Sequence, residues 1–163
     1  QRSVLPLNYT PLFKIDIQLY FFNILSNCLM KKPKVSILMT VYNHQMYIKS
    51  SIESILYQTF KDFELVIINN GSEDNSGNLI KKIKDKRIKF YSFKKNIGRT
   101  KALNYGLKKC IGKYVAIQDS DDLSRKNRIQ TQFNFLEKNL DFGLVGSNYT
   151  IISNSNKIIR KKL

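Results

Sequence analysis

An α/β fold, a doubly wound and mostly parallel sheet with helices on both faces, is the class this sequence predicts, and three observations predict it. From Lys34 onward, short apolar runs of strand length alternate with stretches whose apolar residues fall at helical spacing. One of those runs, Phe63-Glu64-Leu65-Val66-Ile67-Ile68, is apolar enough to be buried on both faces, as strands of a parallel sheet are. Polar, turn-forming residues close each strand, which is where open α/β sheets bind ligands. Strands that alternate with helices imply parallel pairing through right-handed crossovers.

Val35-Ser36-Ile37-Leu38-Met39 is the first strand. The polar turn Tyr42-Asn43-His44-Gln45 leads to a helix with Ile48, Ile52, Ile55 and Leu56 on one face. Thr59-Phe60-Lys61-Asp62 is a loop, and Phe63 to Ile68 is the second strand. Asn69-Asn70-Gly71-Ser72-Glu73-Asp74 has turn and helix-capping chemistry. The basic amphipathic helix after it runs to about Lys84, with Leu79, Ile80 and Ile83 inward. Ile88 to Phe93 alternates and reads as a third strand nearer an edge. Asn96-Ile97-Gly98 opens a helix carrying Ala102, Leu103, Gly106 and Leu107. A glycine inside a helix costs about 1 kcal/mol relative to alanine, so Gly106 is expected to permit close packing on the sheet. Tyr114 to Gln118 is the fourth strand, Leu123 to Leu140 a helix, and Leu144-Val145-Gly146 and Tyr149-Thr150-Ile151-Ile152 two short strands.

The 163 residues suffice for one domain with a real core, and 42% hydrophobic content is ordinary for a globular protein. The balance of 28 Lys+Arg against 12 Asp+Glu, a net charge of +16, is not ordinary. Such a field attracts nucleic acid, anionic lipid or phosphorylated ligands. The basic residues are scattered in pairs such as Lys31-Lys32, Lys81-Lys82, Lys94-Lys95 and Lys108-Lys109, as on solvated faces. With no recognised nucleic-acid motif, that spread argues against a nucleic-acid partner. Cys28 and Cys110 are far apart and lack metal spacing; Cys110 reads as a buried thiol, and a reducing cytoplasm fits. Leu19 to Met30 is the best candidate for a membrane span, but it is interrupted by Asn23, Ser26 and Asn27 and is too short to cross a bilayer. Residues 1–29 differ in texture from the rest of the chain and are expected to be a poorly ordered leader or upstream read-through, with the domain occupying 30–163. The rival reading is an added helix from Ile15 to Leu29 packing on the domain or on a bilayer surface.

The densest chemistry is Gln118-Asp119-Ser120-Asp121-Asp122, at the end of the fourth strand. Neighbouring carboxylates raise one another's pKa and are costly unless a cation neutralises them. Hard oxygen ligands suit Mg²⁺ or Mn²⁺, and those ions hold phosphates. The competing reading is a polar turn in which Asp122 or Ser124 caps the next helix. Thr40 and Asn70 close other strands on the same side, and that convergence favours a ligand site.

Five segments in register resemble glycosyltransferase family 2. They are Val35 to Asn43; Ser54 to Phe60 with Asp62 to Leu65; Asn69 to Asp74; Asn96-Ile97-Gly98 with Lys101 to Gly106; and Gly112 to Asp122. The resemblance runs from about Lys34 to Ile152 and implies a nucleotide-sugar-binding GT-A fold. Its members transfer a sugar from a nucleotide diphosphate, usually with a divalent cation. By position, Thr40 and Asn70 would contact the base, Tyr42 would lie near the nucleotide, and Asp119 and Asp121 would be the two acids of Asp-x-Asp. Asp122 is the extra acid beside them, so Asp121 and Asp122 are the expected metal residues, with Mn²⁺ or Mg²⁺ as the ion. Lys101 or Arg99, near a helix N-terminus, could reach phosphate; the competing reading of both is a solvated face. His44 lies in the first loop, where a lone histidine is more often incidental than functional.

Two departures qualify the resemblance. Asn69-Asn70 stands where the family has Asp-Asp, and an amide at Asn70 loses the charge-assisted bond an acid would make. The family's acceptor half, which carries the catalytic base, is expected beyond Leu163, leaving the catalytic residue unknown. The expected function is transfer from a nucleotide-sugar donor, a UDP-sugar favoured, to a glycan or lipid-linked acceptor with inversion. The alternative is an inactive remnant that binds donor without transfer. The expected location is the cytoplasm, peripherally at an anionic inner membrane face.

Overall fold

The structure, a computed structural model, describes residues 32–153 and 157–161. The expected leader over 1–29, its rival helix and Cys28 lie outside the described residues. Every described element belongs to the unit Pro33–Leu163.

The strands are β1 (Val35–Val41), β2 (Phe63–Asn69), β3 (Ile88–Ser92), β4 (Tyr114–Asp119), β5 (Thr150–Ile152) and β6 (Ile158–Lys161). The helices are α1 (Ile48–Leu56), α2 (Ser76–Lys82), α3 (Arg99–Leu107) and α4 (Arg128–Lys138). The first four strands form a parallel sheet in the order β3-β2-β1-β4. β1 and β2 are buried almost throughout, as their apolar sequences require.

Successive side chains of a strand point to opposite faces, and the two faces meet different helices. Val35, Ile37, Met39 and Val41 of β1 pack with Leu65 and Ile67 of β2, with Ile48, Ile52 and Ile55 of α1, Ile80 of α2 and Ile129 of α4. Leu38, Val66 and Ile68 face the other way and pack with Ala102 of α3. Helices therefore cover both faces, as expected. Burying each of these branched side chains contributes about 1.5–3 kcal/mol. Gly106 of α3 has the packing role expected of it: a Cβ there would lie 3.0 Å from Ile68 Cγ1 and closer still to a Leu38 methyl.

Three expectations need correction. The helix expected over 123–140 begins only at Arg128. Residues 123–127 spend their backbone groups on α1 and the loop after it: Ser124 N–H donates to Ser54 Oγ, Arg125 C=O accepts from Gln58 Nε2, and Lys126 C=O accepts from Thr59 N–H. Asn127, not Asp122 or Ser124, takes the cap position, and it makes no side-chain cap bond. Residues 144–146 form no strand, and β5 pairs antiparallel with β6 in a hairpin that the sequence pattern does not predict. Cys110 is half-buried, not fully buried, and burial pushes its thiol pKa up.

Candidate functional site

The strand order puts β1 between β2, reached first, and β4, reached after the chain has crossed back. The carboxyl ends of β1 and β4 thus flank the switch point of the sheet. Their register sets Thr40 level with Asp119 and with Ile68 of β2, so the residues just past each strand open onto one crevice. A cavity of about 450 Å³ lies there, lined by Thr40, Val41, Tyr42, His44, Asn70, Asn96, Arg99, Asp119, Ser120 and Asp121.

Two loops build the wall beside β1. Asn43 adopts φ 55°, a left-handed conformation that asparagine tolerates better than most residues. Its Oδ1 accepts the backbone N–H of Glu73 at 2.8 Å, and its own N–H donates to Ser72 Oγ at 3.1 Å. His44 N–H donates to Ser76 Oγ at 3.0 Å and Gln45 N–H to Asp74 Oδ2 at 2.9 Å, while Gln45 Oε1 accepts Asn75 N–H at 3.0 Å. The loop after β1 is thereby zipped to the loop after β2, and Tyr42 and His44 are held at the cavity.

Asn69 shapes the second turn, accepting Ser72 N–H on Oδ1 and donating from Nδ2 to Ser92 Oγ. Gly71 sits at φ 72°, and a Cβ there would fall 2.5 Å from the backbone nitrogen of Asn96. Only glycine lets the β2 and β3 loops meet so closely. Asn70 is buried at 3% exposure, and its amide is engaged: Nδ2 donates to Asn96 Oδ1 and Oδ1 accepts Ile97 N–H, both at 3.0 Å.

The acidic turn is shaped from beneath by Gln118. Its buried Nε2 donates to the carbonyls of Asp119 and Asp122, while Oε1 accepts from Ser124 Oγ at 2.7 Å and Arg128 Nη2 at 3.0 Å. Ser120 is buried with its Oγ 2.7 Å from His44 Nδ1. The backbone that carries Asp119 and Asp121 is therefore fixed, and both carboxylates line the cavity. Asp119 meets Arg99 at 2.7 Å. Desolvation raises the pKa of Asp122 first, and the charges of Asp121 and Asp119 raise it further.

Of the expected residues, Thr40, Tyr42, Asn70, Asp119 and Asp121 come together at one cavity. Asp122 and Lys101 are not among the residues lining it. Lys101 is exposed two residues beyond Arg99, a rotation of about 200° around α3, so Arg99 and not Lys101 faces the crevice. Sequence reasoning assigns no site role to Asn96, Ser120 or Gln118. The Asn96-Ile97-Gly98 segment signals only a helix start, and the roles of Ser120 and Gln118 depend on partners distant in sequence.

Among the described residues no group of three or more His, Cys, Asp or Glu side chains forms a ready cation cage. Magnesium-like ions seldom need one, since they are held by one or two carboxylates with substrate phosphates and water supplying the other ligands. Two carboxylates on one cavity wall fit that arrangement.

A family model described as Glycosyl transferase family 2 matches residues 36–163. An uncharacterized glycosyltransferase of Rickettsia bellii (strain RML369-C) is 43% identical over 118 residues, which is 72% of this chain and 17% of that protein. TarS of S. aureus, residues 1–349 crystallised with UDP-GlcNAc, superposes with a TM-score of 0.62 at 28% identity over 66% of this chain and 32% of that one. The mannosyltransferase PcManGT of Pyrobaculum calidifontis, crystallised with GDP-Man and Mn²⁺, gives a TM-score of 0.60 at 19% identity, covering 73% of this chain and 39% of that one. The chain thus spans well under half the length of each of these proteins.

Proposed function

The chain belongs to glycosyl transferase family 2, and from that membership we propose that its cavity holds the nucleotide diphosphate of a sugar donor for transfer to a glycan or lipid-linked acceptor. The observation that carries the reading is the convergence of Thr40, Tyr42, Asn70, Asp119 and Asp121 on one crevice at the switch point. A UDP-sugar is the favoured donor, in line with the UDP-GlcNAc complex of TarS. Thr40 and Tyr42, at the end of β1, bound the base and ribose end. Asn70 acts by holding Asn96 against the same wall. Asp119 and Asp121, which line the cavity, would hold the divalent cation that accompanies the diphosphate, and Asp122 adds negative charge to the same turn. Such an ion neutralises the charge that develops on the departing nucleoside diphosphate.

Asp119 and Asp121 are the only acids lining this cavity. Both are assigned to the donor, so neither is assigned as the base that takes the acceptor's proton in an inverting displacement. Among the described residues no helix is long and apolar enough to cross a membrane. The net charge of +16 suits peripheral work at an anionic cytoplasmic surface.

A thermal-shift panel of UDP-, GDP- and dTDP-sugars, with and without Mn²⁺, tests the reading. A cation-dependent rise in melting temperature with one of the three supports it, and no rise with any of them removes it. The amide at Asn70, where the family pattern has an acid, favours a second reading as a module that binds donor without transfer. That reading expects the same thermal shifts but no turnover by the full-length protein.

A further inference from the structure

We propose that Arg99 is a resident counter-cation of this site: it occupies Asp119 while the cavity is free and moves to the donor's diphosphate when a divalent ion replaces it there. The proposal rests on the donor-site reading of the cavity.

Arg99 Nη2 lies 2.7 Å from Asp119 Oδ1, and both side chains line the cavity. Arg99 is the only lysine or arginine among the lining residues. Two carboxylates and one guanidinium leave the crevice short of positive charge, so an arriving diphosphate has this one lysine or arginine to meet. The root of Arg99 is immobilised: it is the first residue of α3, following Gly98, whose N–H donates to Asn96 Oδ1 at 2.8 Å, and Asn96 is itself held by Asn70. The arm is free by contrast, with 67% of the side chain exposed. A fixed root and a free arm allow the guanidinium to turn without disturbing the helix.

A divalent ion and a guanidinium on one carboxylate repel each other, so they compete for Asp119. A guanidinium displaced from a carboxylate finds an equally matched partner in a phosphate, since its fork of donors suits both. Competition and contact have opposite signs, and a merely structural arginine does not produce both.

Calorimetry on the full chain separates them, first with Mn²⁺ alone and then with the tightest-binding of UDP, GDP and dTDP at saturating Mn²⁺. Arg99→Gln is expected to bind Mn²⁺ about 2- to 5-fold more tightly, the range set by an exposed ion pair. The same variant is expected to bind the nucleoside diphosphate about 10-fold more weakly, through loss of a charge-assisted bond. Arg99→Lys is expected to restore part of the nucleotide affinity. Lys108→Gln, which removes the same charge from an exposed position off the cavity, is expected to leave both affinities within about 2-fold. Parallel losses of both affinities in Arg99→Gln, or no change in either, overturn the proposal while the donor site stands. Failure of the unmodified chain to bind any of the three nucleotides with Mn²⁺ removes the donor-site reading, and this proposal with it.

Discussion

Asn70 and Asn96 clasp across the cavity wall: Asn70 Nδ2 donates to Asn96 Oδ1 at 3.0 Å, and Asn70 Oδ1 accepts the N–H of Ile97 at 3.0 Å. A residue expected to touch the base is thus occupied in holding the loop that presents Asn96 and Arg99. Asn70→Ala removes both bonds from a buried position and leaves the Ile97 N–H without its acceptor. The expected cost is about 1–3 kcal/mol of stability, read by urea denaturation, together with weaker nucleotide binding. Asn70→Asp keeps the acceptor but sets an oxygen against Asn96 Oδ1, which already receives the Gly98 N–H. It is therefore expected to be less stable than the unmodified chain, although the acid matches the family pattern.

The zip between the β1 and β2 loops turns on Asn43, and Asn43→Gly isolates its side chain. Glycine accepts φ 55° without strain, so the backbone stays available and only the Oδ1 acceptor is lost, which takes Glu73 N–H at 2.8 Å and Asp74 N–H at 3.4 Å. A loss of about 1 kcal/mol in chemical denaturation is expected. Nucleotide affinity should fall as well, because Tyr42 and His44 flank Asn43 and line the cavity. Asn43→Ala adds the cost of a left-handed alanine and should be worse on both counts. Equal stability of the two variants would show that this φ carries no strain.

Much of this architecture is legible in the sequence because the signals are local. The apolar runs of β1 and β2 need no partner to be recognised, and a cluster such as Asp119 to Asp122 announces itself wherever it falls. The features that escape depend on long-range partners. Residues 123–127 look helical by pattern, yet Ser54, Gln58 and Thr59 take their backbone groups, and nothing near Leu123 in sequence reports that. Gln118 reads as the last residue of a strand, while its amide determines the shape of the acidic turn. Arg99 and Lys101 are equivalent in sequence as charges near a helix start. Only the rotation of α3 on the sheet separates them, and packing of Ala102 and Gly106 against Leu38 and Ile68 fixes that rotation.

Gly71 is the tightest point between the β2 and β3 loops. Gly71→Ala would place a methyl on the backbone of Lys95 and Asn96 and force a side chain into φ 72°. Backbone cannot yield as a flexible side chain can, so the two strains add. A destabilisation of at least about 2 kcal/mol is expected in thermal or urea melts. Gly98→Ala serves as the comparison. Its φ of 86° is also left-handed, but no atom lies within 4 Å of the added Cβ. It should cost less, and the difference measures the loop contact alone.

Asp85 gives the fold a pH dependence whose sign is set by its partner. Arg87 hydrogen bonds to its carboxylate, with Nη2 2.8 Å from Oδ2, and pulls the pKa down to about 2. The unfolded value is about 4, so the stabilisation is complete above that and drains away as the pH falls toward 2. The side chains are 22% exposed, so screening trims the full linkage value and leaves about 1–2 kcal/mol at neutral pH. Asp85→Asn keeps an oxygen for the Arg87 backbone N–H and Nε–H, which reach Oδ1 at 2.9 and 3.0 Å, and removes the charge together with the Oδ2 acceptor that Nη2 meets at 2.8 Å. At pH 7 the variant should be less stable by that amount. Between about pH 4 and pH 2 the two proteins should converge, because protonation does to the native carboxyl what the amide does permanently. A constant gap across that range in urea titrations would mean that the lost stability is steric, not electrostatic. Arg87 also stacks 4.6 Å from the Phe63 ring centroid and donates to Leu56 C=O, contacts that persist in the variant and hold the guanidinium in place for the comparison.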